Sequence, residues 1–488
     1  MSVMSMLSLA ERAQVPPIMG EHRTTGSLAR SKRALGACPR SLEFHVVPCR
    51  DSQERRRDRA IRSQRACTTR RVTTFSRSKK EDFMLRLPLP CSLLTVTAAL
   101  ATGLAIGCGA DPSQEPQRAP STEVSAIRNI DKAPIRTIDH YVHHVSTVDA
   151  NYGKQVKLFV REKVRRDLQV DRDIDGDDDV ERSRGRKGRL PVVLMIAGAT
   201  QPSVSIYDIP FKDYSWMTYL AQAGFDVFAM DLTGYGFSPR PAMDDPCNAS
   251  IVQQLALLIP NPLAYTCPPS YAFKMAIQSD WDEMDTVVDY LRESRGVDRV
   301  SLIGWSRGGP RIGGYTARHG EKVEKLVLYS PAVYDRDRTS SEPPRDPVTH
   351  RLIPQPGILM QVQNVKGLLA NWDTNWQDKD GKPAIPEECD PFEPAIREVL
   401  GSTSVASDAL GSTWGSDGVF RAPAQNTLWG WNATDAGKIT APTLIIRGLR
   451  DVQAPEPPQR LLFADLKAVQ KVFVRVSVDT NGVIHHDP

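Results

Sequence analysis

The run Val300-Ser301-Leu302-Ile303, leading directly into Gly304-Trp305-Ser306-Arg307-Gly308-Gly309, constrains this chain more than any other stretch. An apolar run of this length reads as a buried strand, and the residues after Gly309 read as a helix. Between them the G-x-S-x-G pattern demands a sharp turn that leaves the Ser306 hydroxyl exposed in a strained backbone conformation. Gly304 and Gly308 remove the side chains that would collide there. A hydroxyl presented in this way, at the N-terminus of the following helix, is a candidate nucleophile.

The surroundings of that turn predict a layered architecture. Past residue 135 short apolar runs alternate with longer amphipathic ones, the pattern of a mainly parallel sheet with helices on both faces. Strands are expected at 137–146, 155–163, 191–197, 225–231, 299–304, 325–330, 442–447 and 471–477, eight in all. Helices are expected at Tyr214–Ala223, Tyr271–Arg292, Pro310–His319 and Pro457–Leu466, with Gly224 and Gly320 as C-terminal stops. Residues 332–437 break the rhythm. They are rich in Pro and Gly, show no strand pattern and carry Trp372, Trp376, Trp414, Trp429 and Trp431, so they read as a cap inserted between core segments 135–331 and 438–488. Trp305 and these cap tryptophans predict an apolar or aromatic pocket of small-molecule size.

The N-terminal part is different in kind. The overall formal charge of +4 conceals 19 basic and 8 acidic residues in 1–107, leaving 43 basic and 50 acidic residues to the remainder. Residues 1–83 read as a disordered basic extension, with arginines at 55, 56, 57, 59 and 62. Aromatics do not interleave with that run as base stacking requires, which argues against nucleic acid as a partner. From Met84, the basic residues Arg77, Lys79, Lys80 and Arg86 flank an apolar run from Leu93 to Ile106 that ends at Gly107-Cys108. This is export-signal architecture over 84–107, and it would make Met84 the functional start. Ala105-Ile106-Gly107-Cys108 resembles a bacterial lipobox, which implies a lipidated Cys108 holding the protein to a membrane, with 108–134 as a flexible tether. A plain membrane anchor or a cleaved secretory signal are the other readings, and both still export the domain. In an oxidising compartment Cys247 and Cys267 could close a loop, leaving Cys389 single.

Taken together, the strand-elbow-helix unit, Ser215-Trp216-Met217, Gly224-Phe225-Asp226-Val227-Phe228 and the D-x-x-G-x-G-x-S turn from Asp231 to Ser238 resemble the α/β-hydrolase family over about residues 135–477. The resemblance implies an α/β fold of eight mainly parallel strands with an inserted cap, and a serine hydrolase that cleaves an ester, lactone or amide bond of a small molecule through an acyl-enzyme. Ser306 takes the place where dehalogenase and epoxide hydrolase relatives carry Asp, which excludes those chemistries. The oxyanion donors are then Arg307 and the segment containing Ala199 and Thr200. That family's third strand normally ends in His-Gly, whereas this chain has Ala197-Gly198, which bears on the rigidity of the loop. The triad acid is expected after strand seven, at Asp451, with Asp335 after strand six as the substitute position. The base is expected after strand eight, where His485 and His486 stand in a tail that matches no family pattern. His140, His143 and His144 sit on the first predicted strand and read as structural or solvated. If the tail delivers no imidazole, the alternative is a catalytically impaired binding protein on a hydrolase scaffold, tethered to the membrane. No cofactor is required by this chemistry.

One further motif spans Asp171-Arg172-Asp173-Ile174-Asp175-Gly176-Asp177. It places Asp171, Asp173, Asp175 and Asp177 at calcium-loop positions, yet Arg182 stands where the bidentate Glu belongs. A structural calcium and a solvated acidic excursion between strands two and three are the two readings.

Overall fold

The computed structural model describes residues 45–46, 133–168, 189–375, 394–426, 429–449 and 451–476. The expectations placed on the signal, on Cys108, on Cys389, on the Asp171–Asp177 segment and on His485 and His486 lie outside these residues. Among the described residues no helix is long and apolar enough to cross a membrane, and no three His, Cys, Asp or Glu side chains converge as a metal site would require.

Eight strands form the central sheet: β1 (Ile135–Val145), β2 (Gln155–Arg165), β3 (Val192–Ile196), β4 (Asp226–Asp231), β5 (Val300–Trp305), β6 (Val323–Tyr329), β7 (Thr443–Gly448) and β8 (Lys471–Val476). Their spatial order is β8-β7-β6-β5-β3-β4-β2-β1. β1 and β2 pair antiparallel, β2 meets β4 antiparallel, and every pairing from β4 through β3 to β8 is parallel. Each strand lies within two residues of its expected position. His45–Val46 adds a short antiparallel pairing on the outer edge of β8, so these two residues depart from the unstructured reading of 1–83. An edge strand carries unpaired backbone groups, and the short segment satisfies part of that row.

Strand side chains alternate between two cores, as the period of two requires. On one face Leu194, Ile196, Phe228, Met230, Leu302, Leu328 and Ile445 pack against α3 (Ile277–Arg295), α4 (Gly308–Arg318) and α7 (Glu456–Asp465). On the other, Val193, Met195, Ala229, Ile303, Trp305 and Tyr329 meet α1 (Ser203–Tyr207), α2 (Trp216–Gln222) and α6 (Pro394–Ala406).

Two helix boundaries differ from expectation. Phe273–Ala276 pairs as a strand rather than beginning a helix, so α3 starts at Ile277. Gly224, at φ 93°, does end α2, but α4 ends at Arg318 with His319 as its C-cap, and Gly320 opens a 3-10 turn instead; the left-handed C-cap belongs to Gly296 after α3.

The cap does contain strands. Met360–Gln363 pairs antiparallel with Phe420–Pro423, and α5 (Val365–Asn375) and α6 come from the same insertion. A second segment joins it, because Met243, Ala249, Leu258 and Met275 share a small core with Leu359, Met360, Val362, Trp414 and Val419. Cys247 and Cys267 are bonded within that segment.

Candidate active site

At the end of β5 the chain reverses direction at Ser306, whose φ of 54° lies in the left-handed region that a side chain enters only under strain. The surroundings hold it there. The Ser306 N–H donates to Tyr329 O at the end of β6 (3.0 Å), and the Ser306 carbonyl accepts from Gly309 N (2.9 Å) and Ala332 N (3.0 Å). Gly308 is required by close approach, since a Cβ there would stand 2.5 Å from Ile196 O. Gly198 faces Ser306: a Cβ would stand 2.8 Å from Ser306 Cβ. Ser306 thus sits where β5 gives way to α4, wedged against the loop that follows β3.

That loop holds the sequence-predicted oxyanion segment. Thr200 has φ 64° and donates its hydroxyl to Ala199 O (2.7 Å); Arg307 is the N-cap residue of α4. Ala197 replaces the family His, and the bracing comes from elsewhere. Ala197 N donates to Ser203 Oγ (2.9 Å), Tyr207 OH donates to Ile196 O (3.1 Å), and Arg311 Nη1 donates to both Ala197 O and Gly198 O (2.8 Å each). Arg311 is only 1% exposed; its Nε donates to Asp280 Oδ2 (2.8 Å) and its Nη2 to Tyr235 OH (2.8 Å). The peptide bond is planar and trans, so its C=O and N–H point in opposite directions. Fixing Gly198 O on Arg311 therefore turns the Ala199 N–H to the opposite side.

The Asp231–Ser238 turn supports the same region from β4. Asp231 accepts from Val204 N (3.2 Å) and Phe237 N (3.1 Å), Ser238 Oγ donates to Asp231 O, and Phe159 N donates to Ser238 Oγ (2.9 Å). Burial holds the Asp231 carboxyl above its ordinary range, against the pull of those backbone N–H groups. Thr233 N donates to Glu283 Oε2 (2.8 Å), and burial, reinforced by Asp280, pushes the Glu283 carboxyl up to about 8.

Asp451 follows β7, as expected. It is buried, its Oδ1 accepts from Ala454 N (2.8 Å), and its backbone carbonyl accepts from Arg447 Nη2 (3.1 Å). Asp335, the substitute, is exposed on the loop after β6 and accepts from Asp337 N (3.2 Å). His140 bonds Glu162 (2.7 Å) and Tyr290 (3.1 Å), and His144 bonds Thr286 (2.8 Å), which ties β1 to α3; His143 is exposed.

Ser306 opens onto a cavity of about 420 Å³ between the sheet's C-terminal edge and the cap. Ala199, Thr200, Gln201, Trp305 and Gln453 line it from the core; Gln361, Val362, Gln363, Leu368, Phe420 and Ala422 line it from the cap. Gln453 lies two residues past Asp451, so the turn carrying the carboxylate reaches the cavity wall. Among the described residues no imidazole and no charged side chain lines it. The wall is mixed rather than the apolar or aromatic pocket expected, with Trp305, Phe420, Val362 and Leu368 beside five glutamines. Trp305 reaches it, whereas Trp431 packs over Gly313 of α4 on the opposite face and Trp414 belongs to the small cap core. The glutamines and Arg311 escaped the sequence reading; an Arg five residues past Ser306, between the small and apolar residues of the helix's first two turns, was the signal for the latter.

A family model described as the alpha/beta hydrolase fold matches residues 191–380, the span from β3 into the cap, and the sheet's strand order agrees with that description. The fold is the α/β-hydrolase fold. A 44-residue stretch is 50% identical to the poly(3-hydroxyalkanoate) polymerase subunit PhaC of Allochromatium vinosum; it covers 9% of this chain and only 12% of that subunit's length. The thioesterase domain from the curacin biosynthetic pathway is 12% identical with a TM-score of 0.39, over 72% of this chain and 94% of that one. The enol-lactonase from Burkholderia xenovorans LB400 is 16% identical with a TM-score of 0.34, over 69% and 92% of the two chains.

Proposed function

We propose that this α/β-hydrolase-fold chain is a serine hydrolase that cleaves an ester, lactone or amide bond of a small molecule through an acyl-enzyme on Ser306. The strained Ser306, held at φ 54° on the wall of a cavity of about 420 Å³, carries the reading. Backbone strain persists only where surrounding structure imposes it, and here it turns a hydroxyl toward a space of ligand size.

In this reading Ser306 Oγ attacks the substrate carbonyl carbon and gives its proton to an imidazole; the carbonyl oxygen takes the negative charge. Backbone N–H groups of Arg307 and of the Ala199-Thr200 segment stabilise that charge. Collapse expels the alcohol or amine, which takes the proton from the imidazolium, and water then attacks the acyl carbon and regenerates the Ser306 hydroxyl. Asp451 is the carboxylate that orients the imidazole, and chain order assigns the imidazole to His485 or His486. Export behind the 84–107 segment, with Cys108 lipidated, would place this reaction outside the cytoplasm.

Turnover of p-nitrophenyl esters by the full chain tests the reading. Wild type should show a burst of p-nitrophenol followed by steady hydrolysis, and Ser306→Ala should show neither. Equal turnover by both would reject Ser306 as nucleophile. Absence of turnover in a cooperatively folded wild type would favour the non-catalytic, binding-protein reading.

A further inference from the structure

Between Asp245 and Lys274, from Pro246 to Phe273, the chain carries no charged side chain, although 25% of all its residues are charged. This excursion is held from within. Cys247 and Cys267 close it with their disulfide, and the fully buried Gln254 sits inside the loop: its Nε2 reaches Ala249 O (2.9 Å), Cys267 O (3.0 Å) and Cys247 O (3.1 Å), and its Oε1 accepts from Cys267 N (2.9 Å). On that fixed base a helical turn over Ile251–Leu258 leaves apolar residues outside. Ile251 is 47% exposed, Val252 75% and Leu255 61%, and Tyr265 on the return limb is 77% exposed. The same turn carries Gln253, which lines the Ser306 cavity and clasps the cap strand by donating to Val362 O (2.9 Å) and accepting from Val362 N (3.3 Å).

Ile251 and Leu255, four apart, share one face of the turn, and Val252 stands beside them. Water around a rigidly held aliphatic cluster is a standing cost, and such a cluster marks a surface that meets an apolar phase or partner. Charge and tethering together point to which. The excursion holds no Lys or Arg, and the charged residue that shares a cavity wall with Ala256 and Leu257 is an acid, Asp417, so nothing here attracts anionic headgroups. Aliphatic side chains together with a tyrosine match the boundary between the headgroups and acyl chains of a neutral leaflet. With Cys108 lipidated as proposed above, residues 109–132 would span at most about 85 Å even when fully extended, which keeps the domain at that leaflet.

We infer that this disulfide-closed excursion is a membrane-docking surface, which lays Ile251, Val252, Leu255 and Tyr265 into the interface of a lipid bilayer with neutral headgroups. Docking of this kind needs no reaction at Ser306, so it stands or falls apart from the hydrolase reading.

The experiment measures amide hydrogen exchange of the full chain with and without phosphatidylcholine vesicles. Moving one aliphatic side chain of this size from water into the acyl region favours docking roughly tenfold. Exchange within Ile251–Tyr265 should therefore slow at least about tenfold when vesicles are added, and Val252→Gln combined with Leu255→Gln should return it to within about twofold of the vesicle-free rate. Reading exchange in this segment separates docking here from anchoring by any other part of the chain, Cys108 included. Both substituted side chains are exposed and neither lines the Ser306 cavity, and the wild-type comparison stands even if the double variant fails a thermal-unfolding check. Replacing half of the phosphatidylcholine by phosphatidylglycerol should change the slowing by less than about twofold. No slowing within Ile251–Tyr265 in either kind of vesicle overturns the inference. So does slowing that survives the double substitution, slowing that requires phosphatidylglycerol, or equal slowing on concentrating the protein without vesicles, which would assign the face to a second copy of this chain.

Discussion

Replacing Arg311 by Met should destabilise the fold and slow the chemistry, and the two effects should separate when Asp280 is replaced as well. The guanidinium is buried and donates to Asp280, Tyr235, Ala197 O and Gly198 O, each at 2.8 Å. Removing one partner of a buried ion pair costs about 3–5 kcal/mol, because the other charge stays behind in a low-dielectric site. Here the charge left behind is Asp280, beside a Glu283 that it already pushes toward protonation. Asp280→Leu combined with Arg311→Met removes both charges, and should regain about 2 kcal/mol over Arg311→Met alone. The carbonyls of Ala197 and Gly198 lose their Arg311 donor, so the loop carrying the Ala199 N–H is held only from Ser203 and Tyr207. An oxyanion donor is worth about 10²–10³ in rate, and loosening one predicts that the double variant labels with a fluorophosphonate about 10–100-fold more slowly than wild type. Urea unfolding followed by tryptophan fluorescence gives the stabilities, and the labelling time course gives the rate. A double variant no more stable than Arg311→Met would refute the ion-pair argument; one that labels at the wild-type rate would refute the bracing argument.

Three further outcomes are expected. Gly198→Ala places a Cβ 2.8 Å from Ser306 Cβ, and the displaced loop should cost about 10²-fold in ester turnover; unchanged turnover would show that the loop gives way freely. The Glu283 carboxyl titrates near 8 when folded against 4.5 as the ordinary value, so the native state holds a proton that the unfolded chain releases across that window. Its contribution to stability is complete below pH 4.5 and is lost as pH rises toward 8, at up to about 1.4 kcal/mol per pH unit. Glu283→Gln, whose amide oxygen can still accept from Thr233 N, should flatten that slope, and an unflattened stability profile from pH 4.5 to 8 would contradict it. Of His485→Ala and His486→Ala, the one that removes the base should lose at least about 10³-fold in turnover, and full activity in the double variant would exclude both.

The sheet was legible because its strands are apolar runs punctuated by Gly and Pro, and because Val300–Gly309 places a buried strand against an elbow whose glycines have steric reasons. The cap strands were not, since Met-Gln-Val-Gln at 360–363 alternates weakly and Phe420–Pro423 ends in a residue that demotes a strand reading. Trp305 and the tryptophans in the cap suggested an apolar or aromatic pocket, but whether a tryptophan faces a cavity or a core depends on packing between segments far apart in the chain. The same holds for Gln201, which finds Ser404 203 residues away. Arg311 is the subtler case: its partners Ala197, Gly198, Tyr235 and Asp280 converge only after β3, β4, β5 and α3 are assembled.

The most direct test of the account is to label the full chain with a fluorophosphonate, digest it and locate the adduct by mass spectrometry. The account predicts a single phosphonylated residue at Ser306, absent after heat denaturation and absent in Ser306→Ala. A folded protein left unlabelled, or an adduct carried by another side chain, would contradict it.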